Sequence, residues 1–157
     1  MKKPLITLIF ICLIHLNSYA ITPHERIEAI SACIILESGG TSEKEMHAVA
    51  NVIFNRAKEK NLNPYKIITQ PKQFSSANSS QGENFNYKKF IKIAKNEKKW
   101  DNSIWNYTMS LALLGYLEEL PDITKGSNHF HEKNIKPHWS SKLKLTMESK
   151  YFKFYKD

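Results

Sequence analysis

Ile27, Ile30 and Ile34 stand three and four residues apart, the spacing of one helix face. Thr22, Pro23 and Glu25 ahead of them form a capping box with proline at the first helical position, so a helix is predicted to begin at Pro23. Glu37 is the next step along the same face, and Ser38-Gly39-Gly40 then ends the helix. A second helix follows at once. Ser42 and Glu45 have capping-box spacing, and Met46, Val49, Ala50, Ile53, Phe54 and Ala57 recur at helical intervals. A short helix is predicted from Asn63-Pro64 through Ile68. Residues 70–84, rich in Ser, Gln and Asn, read as a loop. Two more helices are predicted over residues 87–97 and 103–117. The second has Trp105, Met109, Ala112, Leu113 and Tyr116 as core candidates and Pro121 as its stop. The period changes in the tail. Leu143, Leu145 and Met147 alternate with Lys142, Lys144 and Thr146, and Phe152 and Phe154 flank Lys153. This alternation predicts two short strands in a hairpin. The fold class is therefore α+β, mainly helical, a single domain with a short C-terminal β-hairpin.

The first twenty residues follow neither period. Lys2 and Lys3 open the chain, an apolar run follows, and Asn17-Ser18-Tyr19-Ala20 closes it, with Ser18 and Ala20 at the −3 and −1 positions of a cut. This is the layout of a secretory signal peptide. It predicts a leader at residues 1–20 and a mature domain at residues 21–157. The apolar run is shorter than the roughly 20 residues a spanning helix needs. No stable membrane span is expected after cleavage, and the protein is expected to be exported, to the periplasm or to the extracellular side of the cell wall. Cys12 lies in the leader, which leaves Cys33 alone in the mature chain and excludes an intramolecular disulfide there.

The formal charge of +8, two units of it from Lys2 and Lys3, suits a protein that meets acidic polymers. The lysines are spread along the chain, as on a solvated surface. A nucleic-acid binder needs a focused basic groove interleaved with aromatics. None is visible, so no nucleic-acid partner is expected.

Glu37 is the residue that raises a chemical question. A carboxyl group at the end of an apolar face is poorly solvated when charged, and a helix C-terminus disfavours further negative charge. An acid that keeps its proton is what protonation of a glycosidic oxygen requires. Periodicity alone fits equally well a glutamate at a frayed helix end, turned to water.

Longer stretches narrow the choice. IILESGGTSEKEMHAVANVIFNRAKEKNLNPYKIITQPKQFSS, residues 34–76, places an acid between an apolar helix and a Gly-containing turn. It continues with a helix ending in Asn55-Arg56 and then Gln73-Phe74-Ser75. GSNHFHEKNIKPHW, residues 126–139, and the aromatic ending KYFKFYKD come later, in the same order. The ordered set resembles the cell-wall hydrolases related to the spore-cortex-lytic (SleB-type) enzymes. The resemblance implies a lysozyme-like fold whose partner is the glycan strand of peptidoglycan. It implies cleavage between N-acetylmuramic acid and N-acetylglucosamine, largely as a lytic transglycosylase, with Glu37 as the catalytic acid. In that chemistry one carboxyl group acts twice, first protonating the glycosidic oxygen and then taking the muramoyl 6-hydroxyl proton as a 1,6-anhydro ring closes. Attack by water instead makes a hydrolytic muramidase or glucosaminidase, which in the two-carboxylate scheme needs a partner acid. Glu43, Glu45, Asp122 and Glu132 are available, and none matches a known second acid. A peptidoglycan-binding protein that kept the fold and lost the activity is the remaining alternative.

The candidate substrate-binding residues are Gln73, Phe74, Ser75, Asn128, His129, Phe130 and Trp139, all in the segments that carry the resemblance. Gln73 and Ser75 suit either sugar contacts or turn chemistry. Phe74 suits the core or the cleft, and Trp139, after Pro137, suits a sugar ring or an anchor for the tail. His129 and His131 share a face if their segment is a strand. With His138 they suggest a metal site on spacing alone. The resemblance needs no metal, and no metal or cofactor is expected. Asn55 and Arg56 are expected to bridge the second helix to its neighbours. Phe130 stands where the family often has Tyr, and Ser76 where an aromatic often follows. No separate wall-binding domain is expected within the chain, which leaves targeting to basic charge or to a wall-targeting protein partner.

Overall fold

Thr22 Oγ1 accepts the Glu25 N–H at 3.2 Å, and the Glu25 carboxylate accepts the Thr22 N–H at 2.8 Å, which closes the predicted capping box. Helix α1 starts there and covers Pro23–Ser38. This is a computed structural model in which residues 21–76, 85–96 and 101–157 are described. The predicted leader, the later part of the predicted loop and Glu97 lie outside those residues.

Ala29, Ile30, Ala32, Cys33, Ile34 and Ile35 of α1 are all fully buried. The sequence pattern suggested one apolar face, but the middle of α1 is enclosed on every side, as an all-round apolar helix should be. Around it pack α2 (Glu43–Lys60), α3 (Pro64–Thr69), α4 (Tyr87–Asn96) and α5 (Asn102–Tyr116). The polar Ser31 is tolerated in this core because its hydroxyl meets Thr108 Oγ1 at 2.7 Å.

Two local expectations change. Ser42 does cap α2, accepting the Glu45 N–H at 3.3 Å, but the Glu45 side chain does not return the bond. It is buried and turned to the opposite end of the sequence, a point taken up below. In α5 the core candidates Ala112, Trp105 and Tyr116 pack in the core, but Leu113 is exposed, and Thr108, Leu111 and Gly115 join the inward face. Two of these additions escape a hydrophobic period because they are not large apolar side chains. Thr108 enters through its hydroxyl, and Gly115 through the side chain it lacks. A Cβ on Gly115 would lie 2.0 Å from Phe54 Cε2.

The tail forms the predicted hairpin and adds one strand to it. Strands β1 (His129–Glu132), β2 (Lys144–Glu148) and β3 (Phe152–Lys156) make an antiparallel sheet in the order β1-β3-β2. Phe130 lies opposite Phe154, and a bulge between Leu145 and Met147 brings Met147 opposite Phe154 on the other side. A 3-10 helix, His138–Lys142, connects β1 to β2. Phe152 and Phe154 seat the sheet on Ala48 and Val52 of α2, with Phe130 and Met147 packed alongside. Among the described residues no helix is long and apolar enough to cross a membrane.

Candidate active site

Glu37 occupies the last turn of α1. Two glycines in the left-handed region, Gly39 (φ 60°) and Gly40 (φ 55°), turn the chain away immediately after it. The Gly39 and Gly40 N–H groups both donate to the Ile35 carbonyl, and Ser38 Oγ donates to the Ile34 carbonyl at 2.6 Å. These bonds fix the backbone on both sides of the acid.

The side chain is half-buried. Its Oε1 accepts the Ser76 N–H at 2.6 Å and lies 3.1 Å from Ser75 Oγ, while Oε2 is 3.3 Å from Ser75 Oγ. The Ser75 hydroxyl bridges the two carboxylate oxygens, and the Ser76 N–H adds a second donor at Oε1. The surroundings of the acid are thus set by donors from a loop as well as by an apolar helix. Sequence reasoning picked out Ser75 but missed Ser76, whose contribution is a backbone N–H and leaves no trace in residue type.

Arg56 holds that loop in place. Its Nη1 donates to the Gln73 carbonyl at 3.0 Å, its Nε donates to the Asn128 carbonyl at 2.5 Å, and its guanidinium lies 4.9 Å from the centre of the Phe74 ring. Burial pulls the Arg56 pKa down, while the negative charges of Glu37, Glu59 and Asp157 work to keep it protonated. Asn55 beside it donates to the Ser127 carbonyl at 3.0 Å. Both residues bridge α2 to the segments that flank the site. Cys33 lies within the core one helical turn before the acid, and burial, together with the nearby Glu37, pushes its thiol well above the usual range.

Glu37 opens onto a cleft of about 440 Å³. One wall is the end of α1 and its exit turn, and the other is formed by residues 132–134, at the end of β1, and residues 150–152, where the β2–β3 turn enters β3. Of the acids considered as partners, Glu132 lines this cleft. Glu45 is only 1% exposed, and Asp122 is engaged by the Thr124 and Gly126 N–H groups. Hydrogen bonds from Thr124, Gly126 and Asn55 outweigh the effect of burial and hold the Asp122 carboxyl below the ordinary range.

The remaining predicted site residues are distributed as follows. Ser75 touches Glu37. Gln73 faces Arg56 through its carbonyl, and Phe74 is buried beneath the guanidinium. Asn128 is buried, with Nδ2 donating to Glu59 at 2.8 Å and to Asp157. Phe130 packs between Phe152 and Phe154, with ring centres 5.6 and 5.8 Å away. His129, His131, Trp139 and Tyr155 form an aromatic cluster on the sheet. Burial and the Arg56 charge push the His129 pKa down. His131 uses both ring nitrogens, one 2.7 Å from the Glu132 carbonyl and the other 3.0 Å from Tyr155 Oη. None of Gln73, Phe74, Asn128, His129, Phe130 or Trp139 lines the Glu37 cleft.

The fold is a mainly helical domain with a small sheet, and a cleft between them is lined by a tethered carboxyl group. The family model described as Cell Wall Hydrolase matches residues 40–155, and the chain belongs to that family. The matched span begins three residues after Glu37 and takes in the sheet up to Tyr155. No curated protein and no solved structure matches the chain.

Proposed function

We propose that the protein cuts the glycan strands of peptidoglycan between N-acetylmuramic acid and N-acetylglucosamine, as a lytic transglycosylase of the SleB type with Glu37 as general acid and base. The family assigns the chain to enzymes acting on the cell wall. The observation that supports the finer reading is that Glu37 lines the cleft while its carboxyl group is held in place by the Ser75 hydroxyl and the Ser76 N–H. A proton on that carboxyl group passes to the glycosidic oxygen as the bond to the muramoyl anomeric carbon breaks. The resulting carboxylate then takes the proton of the muramoyl 6-hydroxyl, whose oxygen closes on that same carbon. The acid is regenerated, and no second carboxylate is required. The leader reading of residues 1–20 places this activity outside the cytoplasm, where peptidoglycan lies.

One observation favours a hydrolytic variant. Glu132 lines the same cleft, and a second carboxylate there suits activation of water. Digestion of purified peptidoglycan with the protein and with Glu37→Gln, read by mass spectrometry of the muropeptides, separates the readings. Chains ending in 1,6-anhydromuramic acid, absent with Glu37→Gln, are expected. Reducing ends would make the enzyme a hydrolase and direct attention to Glu132. No cleavage by folded wild-type protein on several wall types would leave a peptidoglycan-binding protein.

A further inference from the structure

Glu45 is an acid with 1% exposure and no cationic partner among the described residues. Burying a carboxyl group without partners is costly, so its donors are held firmly. Both come from residues more than a hundred positions away. Ser149 Oγ donates to Glu45 Oε2 at 2.6 Å, and the Tyr151 N–H donates to Oε1 at 3.0 Å. Ser149 Oγ also accepts the Phe152 N–H at 3.1 Å, and the Ser149 N–H donates to the Phe152 carbonyl at 3.0 Å. The β2–β3 turn is thereby tied to the first turn of α2, in addition to the strand ladder.

That turn is a wall of the Glu37 cleft. At its tip the residue Tyr151 is 40% exposed, with Lys150 Nζ over its ring, 5.0 Å from the centre. An exposed aromatic surface beside polar groups, here Glu132, Lys133 and Asn134, matches the two-sided chemistry of a pyranose ring. The sugar's C–H face packs on the aromatic ring, and its hydroxyl and acetamido edge takes hydrogen bonds.

The geometry points to Tyr151 as the platform of a sugar subsite in the Glu37 cleft, with Glu45 as the residue that positions it. The substrate class is an N-acetylated hexosamine unit of a glycan strand, which rests on the glycan-cleaving reading of this cleft. Glu45 acts through the turn and does not touch the sugar.

The test measures binding apart from cleavage. Every variant is made in the Glu37→Gln background, and its affinity for soluble, peptide-free strands of alternating N-acetylglucosamine and N-acetylmuramic acid is measured by calorimetry. Tyr151→Ala is expected to weaken binding by about tenfold, and Tyr151→Phe, which keeps the ring, to recover most of the loss. Glu45→Gln keeps the size of the side chain but offers an N–H to one of two donors. It is expected to weaken binding several-fold at temperatures where it is fully folded. Ser149→Ala removes one tether and is expected to act in the same direction, which covers the case in which Glu45→Gln does not fold. In the active enzyme the same changes raise KM more than they lower kcat. Unchanged affinity in Tyr151→Ala overturns the platform. A Glu45→Gln or Ser149→Ala protein that melts earlier yet binds as its parent does overturns the positioning role. If the wild-type protein cleaves nothing but Tyr151→Ala still loses glycan affinity, the catalytic reading fails and the subsite stands.

Discussion

Arg56 reaches from α2 to the carbonyls of Gln73 and Asn128 with two different nitrogens, a span that depends on the planar fork of a guanidinium. Lysine offers one ammonium and cannot reproduce both bonds. Arg56→Lys is expected to destabilise the fold by about 2 kcal/mol, because charged hydrogen bonds of this kind are lost and a buried carbonyl is left unpaired. Urea unfolding measures this. The same change is expected to slow peptidoglycan cleavage beyond what the lost stability explains, because Ser75 and Ser76, the donors to Glu37, directly follow the segment Arg56 holds. At this scale the sequence was partly legible. Glu37 stood out because an acid at the end of an apolar run is unusual. Ser76 did not, because a backbone donor is invisible in residue type. Glu45 looked like an ordinary capping residue, since its spacing to Ser42 is local and its actual partners, Ser149 and Tyr151, are not.

Among the elements, the crossing of α5 on α2 depends on Gly115. A methyl group there would lie 2.0 Å from the Phe54 ring, so ring or helix must move. Gly115→Ala is expected to cost about 1–3 kcal/mol, as overpacking of a tight contact does, seen as a lower Tm. Combining it with Phe54→Leu recovers part of the loss if this contact is the cause. Periodicity counts large apolar residues, so in α5 it found Trp105, Ala112 and Tyr116 and missed Gly115, which meets α2, and Thr108, whose hydroxyl meets Ser31 of α1. Helix starts were more legible, because Thr22, Ser42 and Asn63 each cap the following helix with their own side chains. The tail strands showed their alternation. Strand β1 did not, because a four-residue segment with two histidines is recognisable as a strand only once β3 lies beside it.

For the molecule as a whole, the order of the chain explains how the cleft is assembled. Its acid comes from the first described helix and its far wall from residues 132–134 and the β2–β3 turn, so the cleft exists only when both ends of the domain are in place. The formal charge of +8, two units of it outside residues 21–157, favours retention on anionic wall polymers, and salt should weaken that retention. Cys33 adds a consequence of a different kind. It is the single thiol of residues 21–157, it is fully buried, and it lies on the helix that ends in Glu37. The rate at which an alkylating reagent reaches it therefore reports how often α1 separates from its neighbours. Native protein comprising residues 21–157 is expected to react far more slowly than the urea-unfolded chain. The residue thus serves as a built-in clock for opening of the core behind Glu37, with no label to engineer.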